Sequence, residues 1–360
     1  MHLPNFGQII PVSERRLVGG PPTQSMLPLK YPWLYNTYKK AQTNFWRPQE
    51  VPMGRDKEDY YNLPPNVKHQ YDLLFSMLTT MDLVVTEAVD VSLMRHASAP
   101  ELRNWLALQG FQEAVHTDSY VVIAEEIGLD PDDVFTRYLT NSALYAKIAM
   151  CGRYSEMLDG FTDLSDPEQM EKFIVSYAFF ALILESLWFY VGLSAGTYPT
   201  RFLGKMNGTA DMFSFIRKDE ALHYSVGLTV IGDIIRESPH IDKDRLNREL
   251  LNLVSEGLRL EDNFADETYK DLPGMSASAY KEQCRFQMRF NLQRLGLSHP
   301  ECENATLALP WVSETVEMTK ETAFFERTNQ NYVVAAGLFE SSDVGDIPES
   351  NGNTLWDNPV

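Results

Sequence analysis

Cysteine is scarce in this sequence, and the scarcity excludes two classes of protein. The three cysteines, Cys151, Cys284 and Cys302, lie far apart in 360 residues and form no Cys-x-x-Cys pair. An odd number of widely separated thiols makes neither a disulfide framework nor a thiolate zinc site. We therefore expect three buried thiols in a protein of the reducing cytoplasm.

Positive charge is also in short supply, with 31 Lys and Arg residues against 50 Asp and Glu, a formal net charge of −19 and a pI of about 4.8. A chain this acidic repels phosphate groups, so we expect neither nucleic acid nor an anionic membrane surface as a partner. No basic stretch followed by an apolar one opens the sequence, so no signal peptide is predicted. The longest apolar run, near 173–195, is interrupted by Glu185 and Ser186 and predicts a core helix, not a membrane span.

Strand-like alternation is rare, whereas apolar residues recur at the helical spacings of three and four. Helices are predicted at 67–96, 100–127, 131–150, 167–195, 209–237, 242–266, 276–295 and 312–330. Residues 1–66, rich in proline and glycine, predict an irregular arm, and the acidic residues 333–360 predict a flexible tail. The fold class is therefore all-α, with one helical domain over 67–332.

Two of these helices carry the same pairing of a carboxylate and an imidazole. FQEAVHTDSY contains Glu113-x-x-His116, and FIRKDEALHYS contains Glu220-x-x-His223, 107 residues later. Positions three apart share one face of a helix, so each pair points both side chains the same way. A single pair arises by chance in many helices. Two pairs in apolar helices are more telling, because buried acids without partners are costly.

The helix before each pair carries one carboxylate in an apolar setting, Asp82 in SMLTTMDLVV and Glu185 in FFALILESLWFYV. At the helical rise, Asp82 lies about 22 Å before the turn at 97, and Glu113 lies about 20 Å after Pro100. Glu185 and Glu220 lie about 16 Å on either side of the next turn. Each helix pair thus brings a carboxylate opposite a Glu-x-x-His, as in four-helix dimetal-carboxylate proteins.

Charge indicates the number of metal ions. Four carboxylates carry about −4 and two neutral imidazoles add nothing, so two divalent cations cancel the sum. Oxygen ligands mixed with imidazole suit iron or manganese, and do not suit a structural zinc site. The alternative is a purely structural role, in which Asp82 is a surface acid and His116 and His223 are core histidines. It is favoured for each residue alone, but not for six residues in matching register.

The same segments resemble a known family. EAVHTDSY, LESLWFYVG and RKDEALH are similar to signature segments of the radical-generating small (beta) subunit of class I ribonucleotide reductase, and DLVVTEAV, PELRNWLALQGFQEA and FFERTNQNY fit the same family. The resemblance covers roughly residues 40–335 and implies a ferritin-like helical bundle with a dimetal-carboxylate site in its core. It implies one metal held by Asp82, Glu113 and His116 and another held by Glu185, Glu220 and His223, with Glu113 and Glu220 as bridges.

The resemblance also implies a stored radical. Tyr120 matches the tyrosine that carries it, and Phe189, Leu193 and Ile216 match the apolar pocket around that tyrosine. A radical lasts only where nothing nearby can donate an electron or a hydrogen atom. Taken alone, Tyr120 would be a simple core tyrosine, but its register with the ligands favours the radical role.

An electron relay is implied as well. Trp46, in NFWRP, matches the tryptophan that passes an electron towards the metals, and Asp219 matches the acid that links this tryptophan to His116 and fixes the imidazole tautomer. Without the resemblance, Trp46 would be a packing anchor. Tyr332 matches the mobile tyrosine that hands the radical to the large (alpha) subunit, and the tail with Leu355 and Trp356 would dock on that partner.

The implied activity is that two metal ions and O2 oxidise Tyr120, with an electron donor completing the chemistry. Two irons are expected, and dimanganese or a mixed manganese–iron pair is not excluded by the ligands. The radical then serves the large subunit, which reduces ribonucleotides to deoxyribonucleotides. A homodimer is implied too. This chain shows no glycine-rich phosphate loop and no cysteine set for the reduction, so it should hold no substrate site of its own.

One departure and two alternatives remain. The loop between Glu185 and Glu220, TYPTRFLGKMNG, is one residue longer than the commonest family spacing, and we expect the turn to absorb it. An iron-storage protein of the ferritin type would share the dimetal helices but would be shorter and would not need Tyr120, Trp46 or the tail. A dimetal oxidase or oxygenase would show a channel for a hydrophobic substrate and would lack the tail.

Overall fold

The structure, a computed structural model, describes residues 10–21, 23 and 25–312, and only the main chain of Asp90. Helices dominate this part of the chain, where the one sheet-like pairing is an isolated antiparallel bridge between Val18 and Ala97. The all-α prediction is therefore confirmed. The α-helices run in the order α1 Pro32–Ala41, α2 Asp56–Tyr61, α3 Pro65–Glu87, α4 Met94–His96, α5 Pro100–Ile127, α6 Pro131–Thr136, α7 Ser142–Gly160, α8 Pro167–Ala178, α9 Tyr190–Gly196, α10 Tyr198–Leu203, α11 Asn207–Glu237, α12 Lys243–Thr268 and α13 Ala277–Arg294.

Two π-helical segments interrupt the regular helices. Ala88–Leu93 joins α3 to α4, and Phe179–Phe189 joins α8 to α9, so each forms one continuous helical run. The single predicted helices at 67–96 and 167–195 are therefore composite. Segments of this kind often occur at functional sites, because a wider turn redirects side chains. The second segment contains Glu185.

The predicted helix at 131–150 is wrong. In its place α6 ends at Thr136, a short 3-10 turn follows, and α7 begins at Ser142. The reason is local: the Asn141 side chain accepts a hydrogen bond from the Leu144 amide at 2.8 Å. Asparagine caps a new helix in this way more readily than it continues an old one. The predicted helix at 312–330 and the predicted tail lie outside the described residues.

The predicted irregular arm contains α1 and α2, and α2 is hydrogen-bonded to the N-terminus of α11. Asp56 accepts hydrogen bonds from the Gly208 amide at 3.1 Å and from the Thr209 amide at 2.6 Å. The arm approaches so closely that a Cβ at Gly208 would lie 2.6 Å from the carbonyl oxygen of Pro52. This anchor fixes the position of α11, which carries four of the predicted site residues.

The most apolar helical run, Pro167–Leu203, lies in the middle of the protein. By length and composition it could cross a membrane, with a mean hydropathy of 1.8 in its most apolar window. However, 94% of that window is buried inside the protein, which is the burial of a core helix. The run packs along α11, and α3 and α5 pack against each other beside it. Together these four helical runs form the bundle that encloses the site.

Candidate metal centre

The six predicted metal-ligand side chains lie together in the core of the bundle. Asp82 comes from α3, Glu113 and His116 from α5, Glu185 from the second π-helical segment, and Glu220 and His223 from α11. Their donor atoms form two groups, each within 4.8 Å. The first group is Asp82, Glu113, His116 and Glu220, and the second is Glu113, Glu185, Glu220 and His223. Glu113 and Glu220 belong to both groups, which is the placement expected of bridging carboxylates.

Both imidazoles turn the same nitrogen inwards. His116 Nδ1 lies 3.1 Å from Glu113 Oε2 and 3.2 Å from Glu220 Oε1. His223 Nδ1 lies 3.0 Å from Glu113 Oε1 and 3.8 Å from Glu220 Oε2. Because each Glu-x-x-His pair is one helical turn long, the helix itself brings the carboxylate and its imidazole together. The two pairs therefore face each other across the centre.

The donor set fits two cations better than it fits a centre without metal. All six side chains are at most 2% exposed. Among the described residues, both oxygens of Asp82, both oxygens of Glu220 and His223 Nδ1 have no hydrogen-bond partner. Burial, together with the charges of the other carboxylates, raises the pKa of Asp82 and of Glu185 well above the usual range. Such groups are stable as anions only beside compensating positive charge, which two divalent ions would supply.

Asp219 lies between the predicted electron relay and the metal centre. Its Oδ2 accepts a hydrogen bond from Trp46 Nε1 at 2.9 Å and lies 3.4 Å from His116 Nε2. The Trp46 and His116 rings are stacked at 6.5 Å between centroids, with 26° between their planes. The structure thus joins the three residues in the predicted order, and their roles stay a prediction.

Tyr120 is buried on the same face of α5 as Glu113 and His116. Its ring packs edge-on against Phe75, with 5.8 Å between centroids. Burial, followed by the charge of Asp82, raises the pKa of the Tyr120 phenol well above its usual value, so the phenol keeps its proton at neutral pH. Phe189, Leu193 and Ile216 are buried in the same core, and their service as a radical pocket stays a prediction. Tyr332 lies outside the described residues.

Three amide side chains at the centre were not predicted from the sequence. Gln109 donates to Glu185 Oε1 at 2.7 Å, and Asn44 donates to Asp219 Oδ1 at 2.5 Å. Gln112 contacts both Asp219 and His223. One signal was available, since two glutamines stand on the apolar side of the helix that carries Glu113. Glutamine is common in helices, however, so its presence alone indicates no partner.

Comparison with known proteins agrees with this geometry. A model of the family described as "Ribonucleotide reductase, small chain" matches residues 23–300. The ribonucleoside-diphosphate reductase subunit beta of Chlamydia pneumoniae is 28% identical and covers 87% of this chain and 91% of its own length. The corresponding subunit of Treponema pallidum is 27% identical, with coverages of 92% and 94%. The solved ribonucleotide reductase R2 subunit from Clostridium botulinum shares the fold, with a TM-score of 0.76 at 22% identity over 84% of this chain and 94% of that one. The resemblance stated from the motifs is confirmed, and the chain belongs to the small-chain family of ribonucleotide reductase, a family of oxidoreductase subunits.

Proposed function

We propose that the chain generates and stores a radical on Tyr120, using a metal pair and O2, and delivers the oxidising equivalent to a large subunit. That partner reduces ribonucleotides to deoxyribonucleotides for DNA synthesis. Family membership supports the reductase assignment. Within the chain, the observation that carries the proposal is the hydrogen-bonded line from Trp46 through Asp219 to His116.

This line separates the proposal from its two rivals. An iron store or a dimetal oxidase needs the carboxylate cluster, but it needs no tryptophan tied to a ligand imidazole. Trp46 comes from the arm, 173 residues away from Asp219 along the sequence, and its indole is 8% exposed. A buried indole beside the centre can supply an electron without moving. We therefore assign Trp46 as the electron donor and Asp219 as the residue that positions it.

Oxidation of Tyr120 to a neutral radical removes one electron and the phenolic proton. Asp82 lies close enough for its charge to raise the pKa of the phenol, and its two oxygens accept no hydrogen bond from another described side chain. We therefore assign an Asp82 oxygen as the acceptor of that proton. The surrounding core contributes by exclusion, because it keeps out water and other donors that would quench the radical.

The six ligand residues would hold two divalent metal ions, which supply the redox chemistry by which O2 oxidises the tyrosine. Four carboxylates and two imidazoles suit iron and manganese alike. We favour two irons because a tyrosine occupies the radical position. Dimanganese and mixed manganese–iron pairs use the same ligands and are the alternatives to be measured.

The first test is an electron paramagnetic resonance spectrum of metal-free protein after addition of Fe(II) and O2. A stable tyrosyl signal is expected, and Tyr120→Phe should abolish it while leaving iron binding unchanged. Iron bound at two ions per chain without any tyrosyl signal would contradict the radical role of Tyr120 with iron. The experiment repeated with Mn(II), or with both metals, then separates a different metal requirement from the oxidase alternative.

We propose that the C-terminal residues 333–360, with Leu355 and Trp356, dock on the large subunit and that Tyr332 passes the radical across. A short anchor on a tether makes the remaining contacts effectively intramolecular. Removing the last 20 residues should abolish reductase activity with the partner and leave the metal content unchanged. Retained activity would remove the tail from the proposal. The three buried free thiols suit the cytoplasm, where we place the complex.

We also propose a homodimer that associates through the outer face of α3 and α5. Leu83 and Val91 are 53% and 48% exposed on the run that begins with α3, and Phe111 is 48% exposed on α5, where Phe45 of the arm stacks on it. Two copies with a net charge of −19 each repel one another, which favours an interface with little charge, and the exposed Leu83, Val91 and Phe111 supply apolar surface for it. Phe111→Asp should therefore give a monomer in analytical ultracentrifugation. A dimer of unchanged affinity would exclude this face.

A further inference from the structure

We propose that Gln112 is a positioning residue that joins the two halves of the metal centre. Its Oε1 lies 3.0 Å from His223 Nε2, and its Nε2 donates to Asp219 Oδ1 at 2.8 Å. Asp219 in turn contacts His116 and Trp46. One amide thus connects the outer nitrogen of one imidazole with the carboxylate behind the other. The inference rests on the proposed function only in taking both imidazoles as metal ligands.

The charge of Asp219 decides which way the amide points. An ionised carboxylate only accepts hydrogen bonds, so the NH2 group of Gln112 must face Asp219. The amide oxygen then faces His223, which has to present an N–H at Nε2. This leaves the lone pair of His223 on Nδ1, directed at Glu113 and Glu220, where a metal ion would lie. A reversed amide would set its oxygen against the carboxylate and its NH2 group against the imidazole N–H.

Asp219 itself is saturated by its neighbours. Oδ1 accepts from Gln112 and from Asn44, and Oδ2 accepts from Trp46 and faces His116 Nε2. Three donors and the ring nitrogen of His116 surround this buried carboxylate and hold it in a single orientation. The orientation of Gln112, and through it the tautomer of His223, therefore depends on a residue that does not contact His223. Outer partners of this kind commonly change metal affinity about 10–100-fold when they are removed.

Gln109 shows what a glutamine in this helix does without such a link. It stands one turn earlier on α5, is buried like Gln112, and donates to Glu185 Oε1 while accepting from Trp105 Nε1 at 3.1 Å. It contacts a carboxylate ligand and no imidazole. Gln109→Met and Gln112→Met are therefore matched changes of shape and polarity, and only the second breaks the connection between Asp219 and His223.

The test is a titration of metal-free protein with Mn(II), in which the electron paramagnetic resonance signal of free Mn(II) measures binding. The unaltered protein should bind two ions. In Gln112→Met, one of the two affinities should fall about 10–100-fold and the other should stay within a few-fold. His223→Ala, which removes a ligand, identifies the affected position. Urea unfolding of each metal-free variant shows whether the fold is retained.

Asp219→Asn gives the sharper result. It should weaken the position of His223, which Asp219 does not contact, as well as the position of His116. The double variant with Gln112→Met should weaken the His223 position no further than either change alone, because both break the same connection. Additive losses there, or equal losses at both positions in Gln112→Met, would overturn the inference, whereas Gln109→Met, which removes a hydrogen bond to Glu185, should leave the effect of Asp219→Asn on the His223 position unchanged. Mn(II) binding needs no O2, radical or large subunit, so failure of the radical proposal leaves this test standing.

Discussion

The metal-free protein should lose stability as the pH rises, and a single ligand substitution should reduce the loss. Burial, with the charges of the other carboxylates, raises the pKa of Asp82 and Glu185 well above the usual range. The folded chain therefore retains protons that the unfolded chain has released. The stability from these two groups is fully present below their unfolded pKa values and is lost as the pH rises towards the folded values.

The other titratable side chains of the centre either also reduce the stability as the pH rises or titrate at a lower pH than Asp82 and Glu185. Burial lowers the pKa of His116 and His223, but the carboxylates around the two imidazoles outweigh it and raise both pKa values. Their contribution is also lost with rising pH, above the unfolded value of about 6.5. Although burial opposes it, the two imidazoles lower the pKa of Glu113 to about 2, so its contribution changes only in acid.

The magnitude follows from the number of retained protons. Each proton that the folded state holds and the unfolded state lacks lowers the free energy of unfolding by about 1.4 kcal/mol per pH unit. While the folded chain keeps both the Asp82 and the Glu185 proton and the unfolded chain has lost them, the slope reaches at most about 2.8 kcal/mol per pH unit. Glu185→Gln removes one of the two protons and should halve that slope. It should also make the metal-free protein more stable than the unaltered protein at pH 8.

Urea unfolding with a chelator, at half-unit steps from pH 5 to 8, measures the slope directly. The exposed substitution Glu168→Gln, earlier in the same helical run, is the control and should leave the slope unchanged. Saturating Mn(II) should remove most of the pH dependence, because the ions replace the retained protons. An identical slope in Glu185→Gln and the unaltered protein, or a metal-free protein that is most stable in alkali, would refute the reasoning.

Three further predictions concern the surroundings of the centre. Lys147→Met leaves the buried Glu261 without its ion-pair partner and should cost about 3–5 kcal/mol in urea unfolding, most of which the double change with Glu261→Gln should restore. Asp56→Ala removes the acceptor for the first amides of α11 and should cost about 1–2 kcal/mol, whereas an unchanged melting temperature would rule out this anchor. Trp46→Phe should keep Mn(II) binding but lower the tyrosyl yield severalfold in rapid-mixing spectra. The control is Trp33→Phe, which removes an indole that donates to Asp233, and it should leave the tyrosyl yield unchanged.

The positions of the predicted metal ligands could be inferred from the sequence because they depend on regular geometry. Asp82 and Glu113 lie on α3 and α5, two helices that run in opposite directions from one turn, so equal distances from that turn place them at one height. The spacing within each Glu-x-x-His pair needs only the pitch of one helix. Neither inference requires knowledge of distant contacts, and the structure brings these side chains together as expected.

The amide partners and the boundaries of helices could not be predicted, because they depend on contacts between residues that are distant in the sequence or on a choice between two local conformations. Gln109 and Gln112 are three residues apart on one helix, yet one contacts a carboxylate ligand and the other joins an imidazole to Asp219. Their roles depend on which residues α11 and the second π-helical segment present, and local sequence does not state this. Asn141 posed a similar ambiguity, since asparagine is tolerated in helices and also caps them.

The second π-helical segment differs from the predicted regular helix, yet the predicted side chains still cluster. Its sequence is apolar on every side, so hydrophobic periodicity cannot distinguish an α-helix from wider turns. The height estimated for Glu185 assumed an ordinary helix, and a π-helical segment shifts and rotates that residue. The side chain still reaches the centre, because Glu113, Glu220 and His223 converge on it from two other helices.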